Sequence, residues 1–301
     1  MTFELLVTIF AIAFIAAAVI AAIYIKALFV STNMNYDDTN TQIESFAVAK
    51  LTNTASCSQM LNSSTPDLFR LLVLLGVTAG TPDNLADKVF GALDQSNILG
   101  IDYTKSVHQV LEGNKIKTLW CFTTDKDNYF LFLGTKLTET FALEAFTRGV
   151  KESKNGVRCL TSFTTLYDNY RTNIIKFFKK YGTDTTKKNY IIGHSLGAVL
   201  LHMAMVDLDG VVSFEAAYTI GCPRVFSTTS KNWKSIVDNN VINYQHAGDV
   251  IPIFYEPIIN NEIIMIPGSI QGLNVNSGSY VLNHHPLLYF QSIYNLLLNE
   301  S

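Results

Sequence analysis

The chain begins with an uninterrupted apolar stretch. From Leu5 to Ile25 there are 21 residues without a charge, mostly Ala, Ile, Leu, Val and Phe. As a helix this run is about 31 Å long, matching the ~30 Å hydrocarbon core of a bilayer. It is apolar on every face, unlike a helix that packs one stripe against a core. Glu4 and Lys26 bracket it, and Tyr24 and Phe29 stand where interfacial aromatics are common. A cleaved signal peptide is the rival, with Ala16-Ala17-Ala18 as its cleavage site. No Lys or Arg precedes the run, however, and it exceeds the ~7–15 residues of a signal core. The pattern predicts a retained transmembrane anchor over residues 1–30. Lys26 favours a cytosolic position for the rest of the chain, while the sequon Asn62-Ser63-Ser64 has meaning only in a secretory lumen. The sequence leaves the side open.

Residues 31–65 are rich in Asn, Thr, Ser and Asp and read as a polar tether. From Pro66 the pattern becomes that of a folded domain, 66–301. Apolar residues at helical spacing predict a helix over Pro66–Leu75, and Thr81-Pro82-Asp83 carries a helix-start signal. Val107–Leu111, Ile116–Phe122 and Tyr129–Leu133 read as three strands, with turns at Gly113-Asn114 and Asp125–Asn128. Phe163, Leu166, Tyr167, Tyr170, Ile174, Phe177 and Phe178 mark one face of a helix of about five turns. Then come a strand at Asn189–Ile192, a helix at Ala198–Val206, strands at Val211–Ile220 and Val241–Gln245, and a last helix over Pro286–Leu298. This alternation predicts an α/β fold with a mainly parallel sheet covered by helices on both faces.

Composition narrows the function classes. A net charge of −3 without a basic cluster excludes a nucleic-acid footprint. Cys57, Cys121, Cys159 and Cys222 have neither metal-ligand spacing nor the density of a disulfide framework. Cys121 and Cys222 fall in or beside apolar strands and read as buried thiols. No metal and no organic cofactor is implied.

The chemistry is carried by Gly193-His194-Ser195-Leu196-Gly197, a G-x-S-x-G segment directly after a strand and directly before a helix. In that context the glycines relieve crowding in a tight turn. The turn lifts Ser195 above the sheet edge, over a helix N-terminus that favours developing negative charge. Ser195 is therefore the candidate nucleophile.

The segment Tyr190–Ala198 resembles the nucleophile motif of the class 3 lipases, enzymes on the α/β-hydrolase fold. Three further segments are similar to that family's, in order. They are Leu133-Gly134-Thr135, its oxyanion segment; Tyr218–Val225, its Gly-x-Pro-Arg-Val segment; and Gly248–Pro252, its Asp-x-Val-Pro segment. The resemblance spans residues 110–298. Leu133 stands where the family has Arg, Leu160-Thr161-Ser162-Phe163 where it has His-x-Gly-Phe, and Ala198-Val199 where it has Gly-Ala. These departures mark a divergent member and touch none of the reacting groups.

The resemblance implies a carboxylic ester hydrolase with a Ser-His-Asp triad and an acyl-enzyme, acting on triacylglycerol, diacylglycerol or phospholipid. It also implies oxyanion donors from the backbone N–H groups of Leu196 and Thr135 and a lid between Thr135 and Phe163, for which Leu137–Gly149 is the candidate. Asp249 is the expected acid, since Asp207, Asp209 and Asp238 lack the strand-end context. Of six histidines, His194 belongs to the elbow, His202 to the helix after it, and His108 and His246 break the Ser…Asp…His order. His284 and His285 remain. The segment Asn283–Tyr289 resembles an Asp-His-x-Pro-x-x-Tyr ending of diacylglycerol lipase-like members, which assigns the base to His284 with His285 as the alternative. Two rival functions stand beside this one: a non-catalytic lipid-binding protein on a lipase fold, and a serine acyl hydrolase or acyltransferase with a non-lipid substrate.

Overall fold

Among the described residues a central sheet of seven strands runs through the domain. The computed structural model describes residues 59–62, 65–79, 99–101, 105, 107–110, 117–134, 149–227, 240–249, 251–252, 264–265, 269–273 and 283–300. Strands β1 (Val107–Val110), β2 (Lys117–Thr123) and β3 (Asp127–Phe132) form an antiparallel meander. From β3 onward the sheet is parallel, through β6 (Lys188–His194), β7 (Ala216–Ile220), β9 (Val241–His246) and β11 (Ser269–Leu273). The interior strand β6 is buried from Asn189 to His194, as a parallel strand covered on both faces must be. This is the α/β-hydrolase arrangement.

Among the described residues four helices flank the sheet: α1 (Pro66–Ala79), α2 (Thr161–Tyr181), α3 (Leu196–Leu208) and α4 (Pro286–Glu300). α2 buries Phe163, Thr164, Tyr167, Ile174, Phe177 and Phe178, the i, i+3, i+4 pattern of one face. Phe130 and Phe132 of β3 meet it edge-on and tilted at Phe177 and Phe178. Lys179 and Lys180 lie in its last turn, where positive charge suits the helix dipole. α3 is buried almost all round, and its Ala, Val, Leu and Met side chains fill the space between the sheet and α2. Burial on that scale is the main anchor of the nucleophile turn, which α3 directly follows. α1 and α4 pack against each other, with Phe69 against Phe290 and Tyr294.

Three features depart from the sequence reading. Residues 211–215, expected as the start of a strand, form the turn that leaves α3, and β7 begins only at Ala216. Val212 is buried there by docking against the core, while Val211 is exposed. Asp127 and Asn128, expected in a turn, open β3, with the turn confined to Thr124–Lys126. A second, four-stranded sheet was not foreseen. It joins β10 (Ile264–Met265), β8 (Phe226–Ser227), β5 (Arg158–Leu160) and β4 (Val150–Glu152). Among the described residues no helix is long and apolar enough to cross a membrane. The expected anchor at residues 1–30 and the tether at 31–65, up to residue 58, lie outside them, as do Thr135 and nearly all of the candidate lid.

Candidate active site

The site is assembled at the C-terminal edge of the parallel strands. Ser195 ends β6 and opens α3 with φ 53° and ψ −122°, the one positive φ among the described non-glycine residues. Such a conformation costs on the order of 1–3 kcal/mol and persists only where its surroundings impose it. Here Ser195 N–H donates to Ile220 O of the neighbouring strand at 3.1 Å, and α3 is locked into the core behind it. The flanking glycines are steric requirements. A Cβ on Gly193 would come 2.8 Å from Ala198 Cα, and one on Gly197 would overlap the carbonyl of Phe132. The turn brings β6, α3 and the end of β3 closer than any larger residue allows.

Strand order explains how the other groups arrive. β7 lies between β6 and β9, so Ser195 at the end of β6 and Asp249 beyond β9 stand two strand spacings apart, about 10 Å. An imidazole bridges such a gap, provided the end of β7 leaves room. Gly221 does so: it has φ 57°, and a Cβ there would lie 2.9 Å from His284 Cε1 and Nδ1 and 3.1 Å from Asp249 Oδ2. His284, immediately before α4, fills the gap. Its Nε2 is 2.8 Å from Ser195 Oγ and its Nδ1 is 2.8 Å from Asp249 Oδ2. Ser195, Asp249 and His284 are 5%, 4% and 7% exposed, so the chain of hydrogen bonds lies largely out of water.

Further donors hold the carboxylate. Tyr289 Oη donates to Asp249 Oδ2 at 2.7 Å and accepts from the backbone N–H of His246 at 3.1 Å. Ile251 N–H donates to Oδ1 at 3.0 Å. Burial, with the Asp249 charge adding to it, drives the Tyr289 phenol well above its ordinary range, so it remains a donor. Asn283 Nδ2 donates to Gly248 O at 3.0 Å and ties the base loop to the acid loop.

The adjacent histidines are cleanly separated. His284 reaches Ser195. His285 turns to its own helix, where its Nδ1 accepts from Leu287 N–H at 3.2 Å and caps the start of α4. Burial, and secondarily the neighbouring His284, pulls its pKa down to about 4. His202 is buried, with Nδ1–H donating to Ala198 O at 2.8 Å and Cys222 Sγ 3.7 Å away. His246 is buried beneath the acid, edge-on to Tyr289 with ring centroids 4.1 Å apart. Asp207 serves an ion pair with Arg171 and accepts from Tyr167 Oη. Cys121, Cys159 and Cys222 are buried free thiols. Burial raises all three, Cys121 to about 12.

Leu196 opens α3, so its backbone N–H belongs to the first turn, whose donors have no acceptor inside the helix. Thr135 lies outside the described residues. The preceding Gly134 faces the elbow closely, its missing Cβ being 3.0 Å from His194 Nδ1 and 3.1 Å from Ser195 Cβ. Among the described residues no group of His, Cys, Asp and Glu is arranged to hold a metal ion. Sequence reasoning missed three contributors: Gly221 as the gap for the imidazole, Tyr289 as a donor to the acid, and His194, whose Nε2 is 2.9 Å from the carbonyl of His284. Only Tyr289 had a visible signal, its fixed spacing after His284.

The sheet and the helices around it are the arrangement of the α/β-hydrolase fold. The family model Lipase (class 3) matches residues 129–257. Among solved structures, the chain is similar to the Lip2 lipase of Yarrowia lipolytica, with a TM-score of 0.52 and 12% identity over 75% of this chain and 93% of that one. It is also similar to a fungal lipase–inhibitor complex described as a basis for interfacial activation, with a TM-score of 0.51 and 16% identity over 70% and 81% of the two chains. At those identities the likeness concerns the fold alone. A search of curated proteins finds no match.

Proposed function

We propose that this chain hydrolyses acyl ester bonds of glycerolipids, with Ser195 as nucleophile, His284 as general base and acid, and Asp249 as the carboxylate that orients it. The observation that carries this reading is the position of His284, 2.8 Å from Ser195 Oγ on one side and 2.8 Å from Asp249 Oδ2 on the other. In the first half-reaction Ser195 Oγ attacks the ester carbonyl carbon while its proton passes to His284 Nε2. The imidazolium so formed is stabilised by Asp249, whose charge is held in place by Tyr289 and Ile251. Negative charge develops on the carbonyl oxygen next to the first turn of α3, where the Leu196 N–H and the helix dipole oppose it. Thr135 is the proposed second donor, and one such donor is worth about 10²–10³ in rate. Collapse of the tetrahedral intermediate breaks the C–O bond, and His284 hands its proton to the leaving alcohol. Water then repeats the sequence on the acyl-enzyme, releasing the fatty acid and restoring Ser195.

The glycerolipid substrate is supported by the family and by the apolar run Leu5–Ile25, which would hold the enzyme at a lipid surface. The test is a panel of triacylglycerol, diacylglycerol and phospholipid emulsions, with Ser195→Ala as the control. Fatty-acid release from at least one class, abolished by the substitution, is expected. Turnover of thioesters or peptides with no release from any glycerolipid would overturn the substrate assignment. No turnover of any ester would overturn the catalytic one.

A further inference from the structure

His194 is the residue between Gly193 and the nucleophile, and nothing in the acyl-transfer chemistry above uses it. Its side chain is nonetheless buried at the centre of the site. Its Nε2 lies 2.9 Å from the backbone carbonyl of His284, with the two rings 5.0 Å apart and tilted by 37°. A carbonyl only accepts, so the ring must donate its Nε2–H there. The other ring nitrogen faces the end of β3, 3.0 Å from where a Cβ on Gly134 would stand. His194 thus touches three loops that share no covalent connection nearby: the elbow that carries it, the turn that carries the base, and the segment before the proposed oxyanion residue Thr135.

We propose that His194 is a positioning residue: its Nε2–H bond to the His284 carbonyl fixes the distance between base and nucleophile, and its ring sets the approach of the Gly134 segment. This rests on the triad reading of the site. Among the described residues the side chain of His284 is held by Asp249 and Ser195, the two groups it must serve. The bond from His194 anchors its backbone independently, to the same turn that carries Ser195. The anchor is also electrically suited to the reaction. His284 becomes cationic during attack, and a second charged imidazole 5 Å away would oppose that step. Burial, and next the neighbouring His284, keep His194 neutral by pulling its proton affinity well below the ordinary value. A neutral ring has one N–H, and the carbonyl of His284 receives it.

Three variants separate the bond from mere filling of space. His194→Gln places an amide N–H near the position of Nε2, His194→Asn is polar but too short to reach, and His194→Leu fills the space without a donor. Expected are near-wild-type kcat for Gln, and kcat about 10- to 100-fold lower for Asn and Leu with KM little changed, as a displaced base produces. If Leu fails to fold, the Asn and Gln pair decides. Equal kcat for Gln and Asn would overturn the proposal. A second readout needs no turnover: the low-field proton resonance of the His284 Nδ1–H to Asp249 hydrogen bond. It should persist in Ser195→Ala and His194→Gln but broaden or vanish in His194→Asn. If it persists unchanged in Asn, the positioning role is wrong whatever the substrate. If wild type shows the resonance but hydrolyses no ester, the functional reading fails and this one stands.

Discussion

Two adjacent histidines, His284 and His285, of which the sequence reading took the first as base and the second as the alternative, stand in different places: His284 lies between Ser195 and Asp249, and His285 against the start of α4. The division follows from local geometry. His284 precedes the turn into α4 and extends over Gly221, while His285 folds back to cap the helix that begins at Pro286. His284→Ala is expected to lower the rate by several orders of magnitude, as loss of a triad base does, and His285→Ala to cost far less. Initial rates on a soluble ester decide this; a dead His285→Ala beside an active His284→Ala would reverse the assignment. His285 also has a consequence for acid stability. Its folded pKa of about 4 lies below the ordinary 6.5, so the unfolded chain binds the extra proton between those values. The stability it contributes is complete above about pH 6.5 and is lost as pH falls toward 4. Protonation also removes the Nδ1 acceptor that caps α4. Thermal melts of wild type should therefore show Tm falling between pH 7 and pH 5, and His285→Asn, which keeps a capping oxygen, should show a shallower fall. Parallel curves would mean that His285 is not the group responsible.

At the scale of elements, what was legible was local. The elbow was readable because its strand, turn and helix are contiguous, from Lys188 through Ser195 to Leu208. The aromatic face of α2 was readable because one side of one helix carries it. The small second sheet was not, since β4 and β5 have only three residues each, and the sheet continues from their hairpin only through β8, which pairs with β5, and β10, which pairs with β8, both far along the chain. A signal existed in Asn155-Gly156, a dipeptide that favours tight hairpins. Val211 and Val212 misled because apolar residues in a turn out of α3 look like the start of a strand. Gly221 was read only as part of a motif, although its role depends on strand order, which places the end of β7 between nucleophile and acid. That role gives a sharp expectation. Gly221→Ala puts a methyl into His284 and demands a positive φ of an alanine. The activity loss should be about 10²-fold or more, against a stability loss of roughly 1–3 kcal/mol in urea titration. Activity that falls only in proportion to unfolding would contradict the account of the gap.

For the whole molecule, the fold was accessible from four spaced motifs, because each motif sits where a parallel strand ends. The anchor rests on length and hydropathy alone, and we propose it as such: residues 1–30 hold the full chain in a membrane while 66–301 do the chemistry. Full-length protein should remain in the pellet after alkaline carbonate washing, and deletion of residues 1–30 should release active enzyme to the supernatant. Full-length chain in the supernatant, or a mature N-terminus near residue 20, would refute the anchor and leave the hydrolase intact.

The central claim is that the strained turn at Ser195 and the imidazole of His284 make an activated nucleophile. It is tested most directly by covalent labelling of the full-length protein with a fluorophosphonate, which reacts at phosphorus only with a serine whose proton a neighbouring base can take. Wild type should be labelled, with the modified peptide containing Ser195, and Ser195→Ala should not be labelled at all. Equal labelling of the two, or no labelling of folded wild type, would contradict the account.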